Sequence, residues 1–208
     1  MVRRTKEEAE ATRHLLLDAA EKVFNEKGVA QTSLADIVVA AGLTRGAIYW
    51  HFESKADLFH AMLERVTLPI DNMVDQLGAE HMASPLTFLH NAAVTVLKRA
   101  ATDEHTRRVF EIVSHQCELT GDMAIGRSRQ LESRAECLGK VEQALKAAIT
   151  QGDLPTGLDT RSAAFGLHSM IDGLISNWVL SPNAFDLEKN ATQLIGHYLN
   201  GLKNGASK

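Results

Sequence analysis

Between Ser33 and Lys55 the chain writes two short helices separated by a turn of only three residues, and few folds accommodate such a pair. Leu34, Ile37, Val38 and Ala41 recur at three- and four-residue spacing, which predicts a first helix with one apolar face. Ser33 precedes it, and Asp36 stands three positions on, so a hydroxyl and a carboxylate are placed to satisfy orphan N–H groups at the helix start. Gly42 predicts the stop. Gly42-Leu43-Thr44 then makes the turn, and Thr44 is an N-cap for a second helix from Arg45. Two short helices across a tight, glycine-containing turn are the helix-turn-helix unit.

In the second helix Ile48 and Phe52, four apart, are the inward anchors. Arg45, Gly46, Tyr49, Trp50 and part of His51 then face outward, an aromatic and basic surface. Arginine reads a guanine edge in the major groove, while tyrosine and histidine hold phosphates and fix register. Gly46 costs the helix about 1 kcal/mol relative to alanine, a cost that fits a place where a duplex comes close. Ser54 with Asp57 forms another capping pattern, opening a fourth helix at Lys55 beside a site that favours a phosphate. The candidate DNA contacts are Thr32, Ser33, Thr44, Arg45, Gly46, Ala47, Tyr49, Trp50, His51 and Lys55, with Arg3, Arg4 and Lys6 in an N-terminal arm. That arm either lies along the minor groove, as basic arms do, or is a solvated terminus.

Thr-Arg-Gly-Ala-Ile-Tyr-Trp-His-Phe at 44–52, followed by Ser54-Lys55 and Asp57-Leu58, resembles the DNA-binding signature of TetR-family transcriptional repressors. Arg3-Arg4-Thr5-Lys6-Glu7-Glu8-Ala9 and His115-x-Cys117-Glu118 sharpen the resemblance toward the AcrR-like branch, which represses multidrug efflux operons. The likeness is strongest over 3–60 and collinear from about 105 to 200. It implies that Lys55 contacts the DNA backbone. It also implies a homodimer on a palindromic operator, released by small hydrophobic or aromatic ligands.

Composition agrees with a helical, water-soluble regulator. Of the 208 residues, 45% are hydrophobic and 23% charged, and strand signals are few. No apolar run is long enough to cross a membrane and no leader opens the chain, which predicts a cytoplasmic protein without membrane partner. Cys117 and Cys137 make no disulfide framework. The net charge of −4 weighs against nonspecific affinity for nucleic acid, and residues 1–60 hold eight Lys+Arg against nine Asp+Glu. Any basic surface is therefore local.

The expected fold is all-α with about nine helices: an N-terminal three-helix DNA-binding domain over 1–55, and a helical ligand-binding and dimerisation domain over 56–208. The first helix is predicted over Glu10 to Lys27, with Leu16, Ala20, Val23 and Phe24 inward and Gly28 as stop. Pro69 marks either a hinge or a boundary in the fourth. Ser84-Pro85 opens the next. Further helices are expected over Glu104–Cys117, Asp122–Gln151, Asp159–Leu180 and Phe185–Leu202.

In the second domain, Val96, Phe110, Val113, Ser114, Cys137, Val141, His168, Ile171, Asp172, Ile175 and Ser176 are the candidate ligand set. His168, Asp172 and Ser176 follow one helical stripe. By resemblance that stripe lines a drug cavity with Asp172 as anchor; from its apolar neighbours alone Asp172 is either exposed at the surface or buried with a purpose. Ala164, Leu167, Leu174 and Trp178 in one helix, with Leu194, Ile195, Tyr198 and Leu202 in another, make apolar stripes that either associate in a dimer or pack in the chain's own core. A two-fold pair of readers matches half-sites about 34 to 36 Å apart. A ligand that prefers the splayed form then shifts the population off DNA, with a coupling of ~1 to 3 kcal/mol. The sequence holds no phosphate loop, nucleophile elbow or paired acids in a recognisable frame, and His115-x-Cys117 lacks the second pair of a zinc site. No enzyme, metal or cofactor is expected. The alternative switches are oxidation of Cys117 or Cys137 and a non-drug metabolite.

Overall fold

In the computed structural model the described residues are 6–80, 84–116 and 124–204. Among them are nine α-helices, one π-helical stretch and no strand. They form two compact units, the first comprising residues 1–67 with 111–130 and the second 68–110 with 131–208.

The first unit opens with α1, Lys6–Lys27, which starts four positions before the predicted Glu10. Glu7 and Glu8 in its first turn complement the helix dipole, and the Thr12 hydroxyl donates to the Glu8 carbonyl at 2.8 Å. Lys6, expected in an extended arm, is instead the first helical residue. Arg3 and Arg4 lie outside the described residues. The predicted stripe Leu16, Ala20, Val23 and Phe24 is buried, and Gly28 ends the helix at φ +79°, a conformation that costs glycine little.

Helices α2, Leu34–Ala40, and α3, Arg45–His51, are seven residues each. Helices so short are unstable alone and hold only through tertiary packing. Ile37 and Val38 supply it for α2, and Ile48 and Phe52 for α3. Each such burial contributes about 1.5–3 kcal/mol. Gly42, at φ +66°, turns the chain between them. Helix α4 runs Lys55–Glu80, with Leu58, Phe59 and Met62 buried in this unit and the Phe59 ring edge-on to Phe24 at 6.0 Å. Pro69 lies inside α4, which continues to Glu80, so it is not a helix boundary; the two units divide between residues 67 and 68, two positions before it.

The second unit is built on α5, Pro85–Thr102, which packs against α8, Thr160–Leu180, and α9, Leu187–Asn204. Helix α6, Glu104–Glu111, up to Phe110, and α7, Ala124–Thr150, from Leu131 on, complete the set. Leu89, Leu97, Leu145, Leu167, Ile195 and Leu199 are central in its core. Helices α8 and α9 meet closely at Gly166. A Cβ there would collide with the Tyr198 hydroxyl and lie 3.2 Å from its Cζ. The same hydroxyl donates to the Ala163 carbonyl at 2.7 Å. The helix predicted through Cys117 is α-helical only to Glu111 and π-helical over Ile112–Gln116. Cys117 lies outside the described residues.

Candidate nucleic-acid interface

The reader is assembled from local hydrogen bonds that the sequence spells out. The Ser33 hydroxyl accepts from the Asp36 N–H at 3.2 Å, and the Asp36 carboxylate accepts from the Ser33 N–H at 2.9 Å. The Ser33 hydroxyl also donates to that carboxylate at 2.5 Å, and Lys27 pairs with it at 2.9 Å. The hydroxyl and backbone N–H of Ser33, with Lys27, hold the Asp36 carboxyl far below the usual carboxylate range. Ser54 repeats the device: its hydroxyl accepts from the Asp57 N–H at 3.1 Å, while the Asp57 carboxylate reaches one residue further back, to the Glu53 N–H. Thr44 has the extended backbone of an N-cap, but its hydroxyl makes no cap bond, so α3 starts without the predicted side-chain cap.

The outer face of α3 is as the spacing predicts. Arg45 and Gly46 are exposed, Tyr49 is 53% and Trp50 72% exposed, and Ala47 and His51 are half-buried. Trp50 stands edge-on to the His51 ring at 4.7 Å. A Cβ at Gly46 would meet nothing within 4 Å, so the fold itself does not require glycine there. Phe52 is 2% exposed and carries the Arg13 guanidinium over its ring at 5.3 Å, a support from α1 that no short-range pattern signalled. The outer side of α2 also presents Val39, 80% exposed and outside the expected contacts.

Two assigned contacts face inward instead. Thr32 is 2% exposed, and its hydroxyl donates to the Gly28 carbonyl at 2.8 Å. Lys55 is half-buried, with Nζ donating to the carbonyls of Val29, Ala30 and Thr32 at 2.8, 3.2 and 2.9 Å. An ammonium has three protons. All three of these are occupied, so Lys55 is not the uncommitted charge expected at the start of α4.

The candidate ligand and dimer residues differ in burial. Val96, Phe110, Val141 and Ile171 are half-buried against the core, and Ile175 is in it. His168 is half-buried, with Nδ1 2.9 Å from a carboxylate oxygen of Asp172, whose own side chain is 59% exposed. Asp172 is thus exposed at the surface of the described chain. Ser176 is half-buried. Val113 and Ser114 fall in the other unit, on the π-helical stretch. A shallow cleft of about 380 Å³ in the second unit is lined by Ala101, Trp178, Pro182, Asn183, Phe185, Asp186, Leu187 and Glu188, none of them from the ligand set.

Cys137 is exposed. Loss of hydration among its neighbours raises its thiol pKa, and the carboxylates of Asp71 and Asp172 raise it further, against Lys140. Ala164, Leu167, Trp178 and Ile195, read as dimer contacts, are core residues of their own unit. Leu174, Leu194, Tyr198 and Leu202 are half-buried. The large apolar side chains that α8 leaves open are Phe165 and Leu180.

Residues 16–62 match the family described as bacterial regulatory proteins, tetR family, and residues 84–204 match the MAATS-type transcriptional repressor C-terminal region. The chain belongs to the TetR family of transcriptional regulators. It is 40% identical over 195 residues to the HTH-type transcriptional regulator AcrR of Shigella flexneri, covering 94% of this chain and 91% of that one. It is 41% identical over 187 residues to the HTH-type transcriptional regulator TtgR of Pseudomonas putida, covering 90% and 89%. Its fold matches the crystal structure of NalD, the secondary repressor of the MexAB-OprM multidrug efflux pump in Pseudomonas aeruginosa, with a TM-score of 0.86, 35% identity and 95% and 98% coverage. A complex of SmeT with triclosan matches with a TM-score of 0.81, 31% identity and 95% coverage of each chain. This TetR-family regulator thus has the helix-turn-helix reader and the helical second unit of its relatives. Among its described residues, no helix is long and apolar enough to cross a membrane.

Proposed function

We propose that the protein is a cytoplasmic repressor of a multidrug efflux operon. It binds a palindromic operator as a homodimer and leaves it when a hydrophobic or aromatic ligand binds. The observation that carries this reading is α3: two buried anchors hold an exposed Arg45, Gly46, Tyr49 and Trp50 face after the capped helix α2, in a chain similar over nearly its whole length to NalD, a repressor of a multidrug efflux pump. One such face is small, and a two-fold pair gives the length of contact that a specific site requires. Ligand release follows if the half-buried positions Val96, Phe110, Val141 and Ile171 open to an apolar molecule in the state that fits DNA less well. Asp172 and His168 then stand at the rim of that site and select polar or cationic groups.

The test is fluorescence anisotropy with a duplex carrying the palindrome upstream of the protein's own gene, at fixed salt, with and without triclosan and other hydrophobic drugs. Specific binding that a drug abolishes supports the reading, and loss of the drug response in Asp172→Ala supports the rim. Specific binding indifferent to every drug refutes ligand release by this class.

A further inference from the structure

We infer that Arg13, on α1, is a phosphate contact of the reader, held beside the recognition helix by the ring of Phe52. Its guanidinium carbon lies 5.3 Å from the centroid of that ring, and Phe52 is the 2% exposed C-cap of α3. The contact fixes a cation from outside the helix pair against the last turn of the helix that carries Arg45, Tyr49 and Trp50. Arg13 lies just ahead of residues 16–62, where the tetR family match begins.

The charge is braced but not spent. Lys27 and Arg65 of the same unit pair with carboxylates, Lys27 with Asp36 and Arg65 with Asp18 and Glu21. Among the described residues Arg13 has no hydrogen-bond acceptor and no ion pair, although Glu10 stands three positions before it on α1, at ion-pair spacing. An aromatic face attracts a guanidinium yet leaves the N–H donors around its edge open to an acceptor. Those donors form a fork that fits phosphate oxygens two at a time. Half-buried against the ring, the side chain has little rotamer freedom left to lose when it binds.

Groove dimensions say what that acceptor is. The major groove of B-DNA is about 12 Å wide, and an α-helix with its side chains is about 10–12 Å across. A helix lying in the groove fills it, so a group flanking the helix meets the sugar-phosphate rim and not a base. A phosphate contact carries no sequence information. Arg13 thus adds affinity for any duplex, while sequence preference stays with the outer face of α3. The inference rests on the repressor reading for its DNA.

The experiment uses the full-length protein with Arg13→Met and Arg13→Lys. Methionine keeps an apolar contact with the ring and removes the charge, whereas lysine keeps the charge over the ring. Affinity is measured from about 50 to 200 mM salt for the palindrome that the wild type footprints and for a scrambled duplex. Stoichiometric titration supplies the active fraction, so a folding defect alone leaves Kd unmoved. Arg13→Met is expected to bind both duplexes roughly tenfold more weakly, with the slope of log K on log salt shallower by about 0.9 for each subunit engaged. Arg13→Lys is expected to keep the wild-type slope. An unchanged slope in Arg13→Met overturns the inference whatever happens to affinity, and so does a loss confined to the palindrome, which marks Arg13 as only a support for α3. A wild type that binds duplex without preferring the palindrome refutes the repressor reading, and the slope still decides Arg13; one that binds no duplex refutes both.

Discussion

Gly46→Ala separates what the fold wants from what DNA wants. The position is exposed, lies within α3, has no positive φ, and leaves open space around an added Cβ. Alanine therefore brings no clash and recovers the helix propensity that glycine forfeits, about 0.5–1 kcal/mol. In a protein of this size that raises Tm by roughly 1–4 °C. On the operator the sign reverses if the glycine is there to admit a base edge or phosphate at van der Waals distance: an intruding methyl costs on the order of 1–3 kcal/mol, the size of one wrong base pair. Kd then rises about 5- to 150-fold while the free protein becomes more stable. The paired assays are a thermal melt and an anisotropy titration on the same preparation. A variant that binds with wild-type affinity refutes the close approach, and one that melts lower refutes the open space around Gly46.

Gly166→Ala should lower stability by about 1–3 kcal/mol, read in a denaturant melt, because Tyr198 must move to admit the methyl. Tyr198→Phe should cost only about 1 kcal/mol, for the one bond lost to the Ala163 carbonyl; equal losses would refute the packing account. The Asp36 carboxyl is held below its unfolded value by Ser33 and then Lys27, so its stabilisation is complete above the unfolded pKa of about 3.9 and disappears as pH falls through the folded value. The stability gap between wild type and Ser33→Ala should be flat at neutral pH and close on acidification, and a gap that widens in acid contradicts the assignment. Cys137 should alkylate more slowly than a free cysteine at about pH 8, followed by mass spectrometry of its own peptide, because its thiol pKa is raised. Faster alkylation there supports the oxidation switch.

What the sequence determined by itself is whatever is written within four residues. The capping pair Ser33 and Asp36, the stop at Gly28, the turn at Gly42 and the anchors Ile48 and Phe52 are all local, so spacing and propensity placed them before any tertiary contact was known. Residue type and spacing likewise left Arg45, Tyr49 and Trp50 outside, because the anchors leave that face no other place. Only the tertiary structure decided the long-range partners. Periodicity marks Leu167, Trp178 and Ile195 as apolar stripe positions but is silent on which helix covers them, and α5, α8 and α9 of the same unit bury these residues together. Asp172 sits on the same helical stripe as His168 whether a cavity or solvent faces it, and the fold put it at the surface. Lys55 is the sharpest case. A cation at a helix start reads as an uncommitted charge, and the fold brought three carbonyls from 23 to 26 positions away within reach of its ammonium.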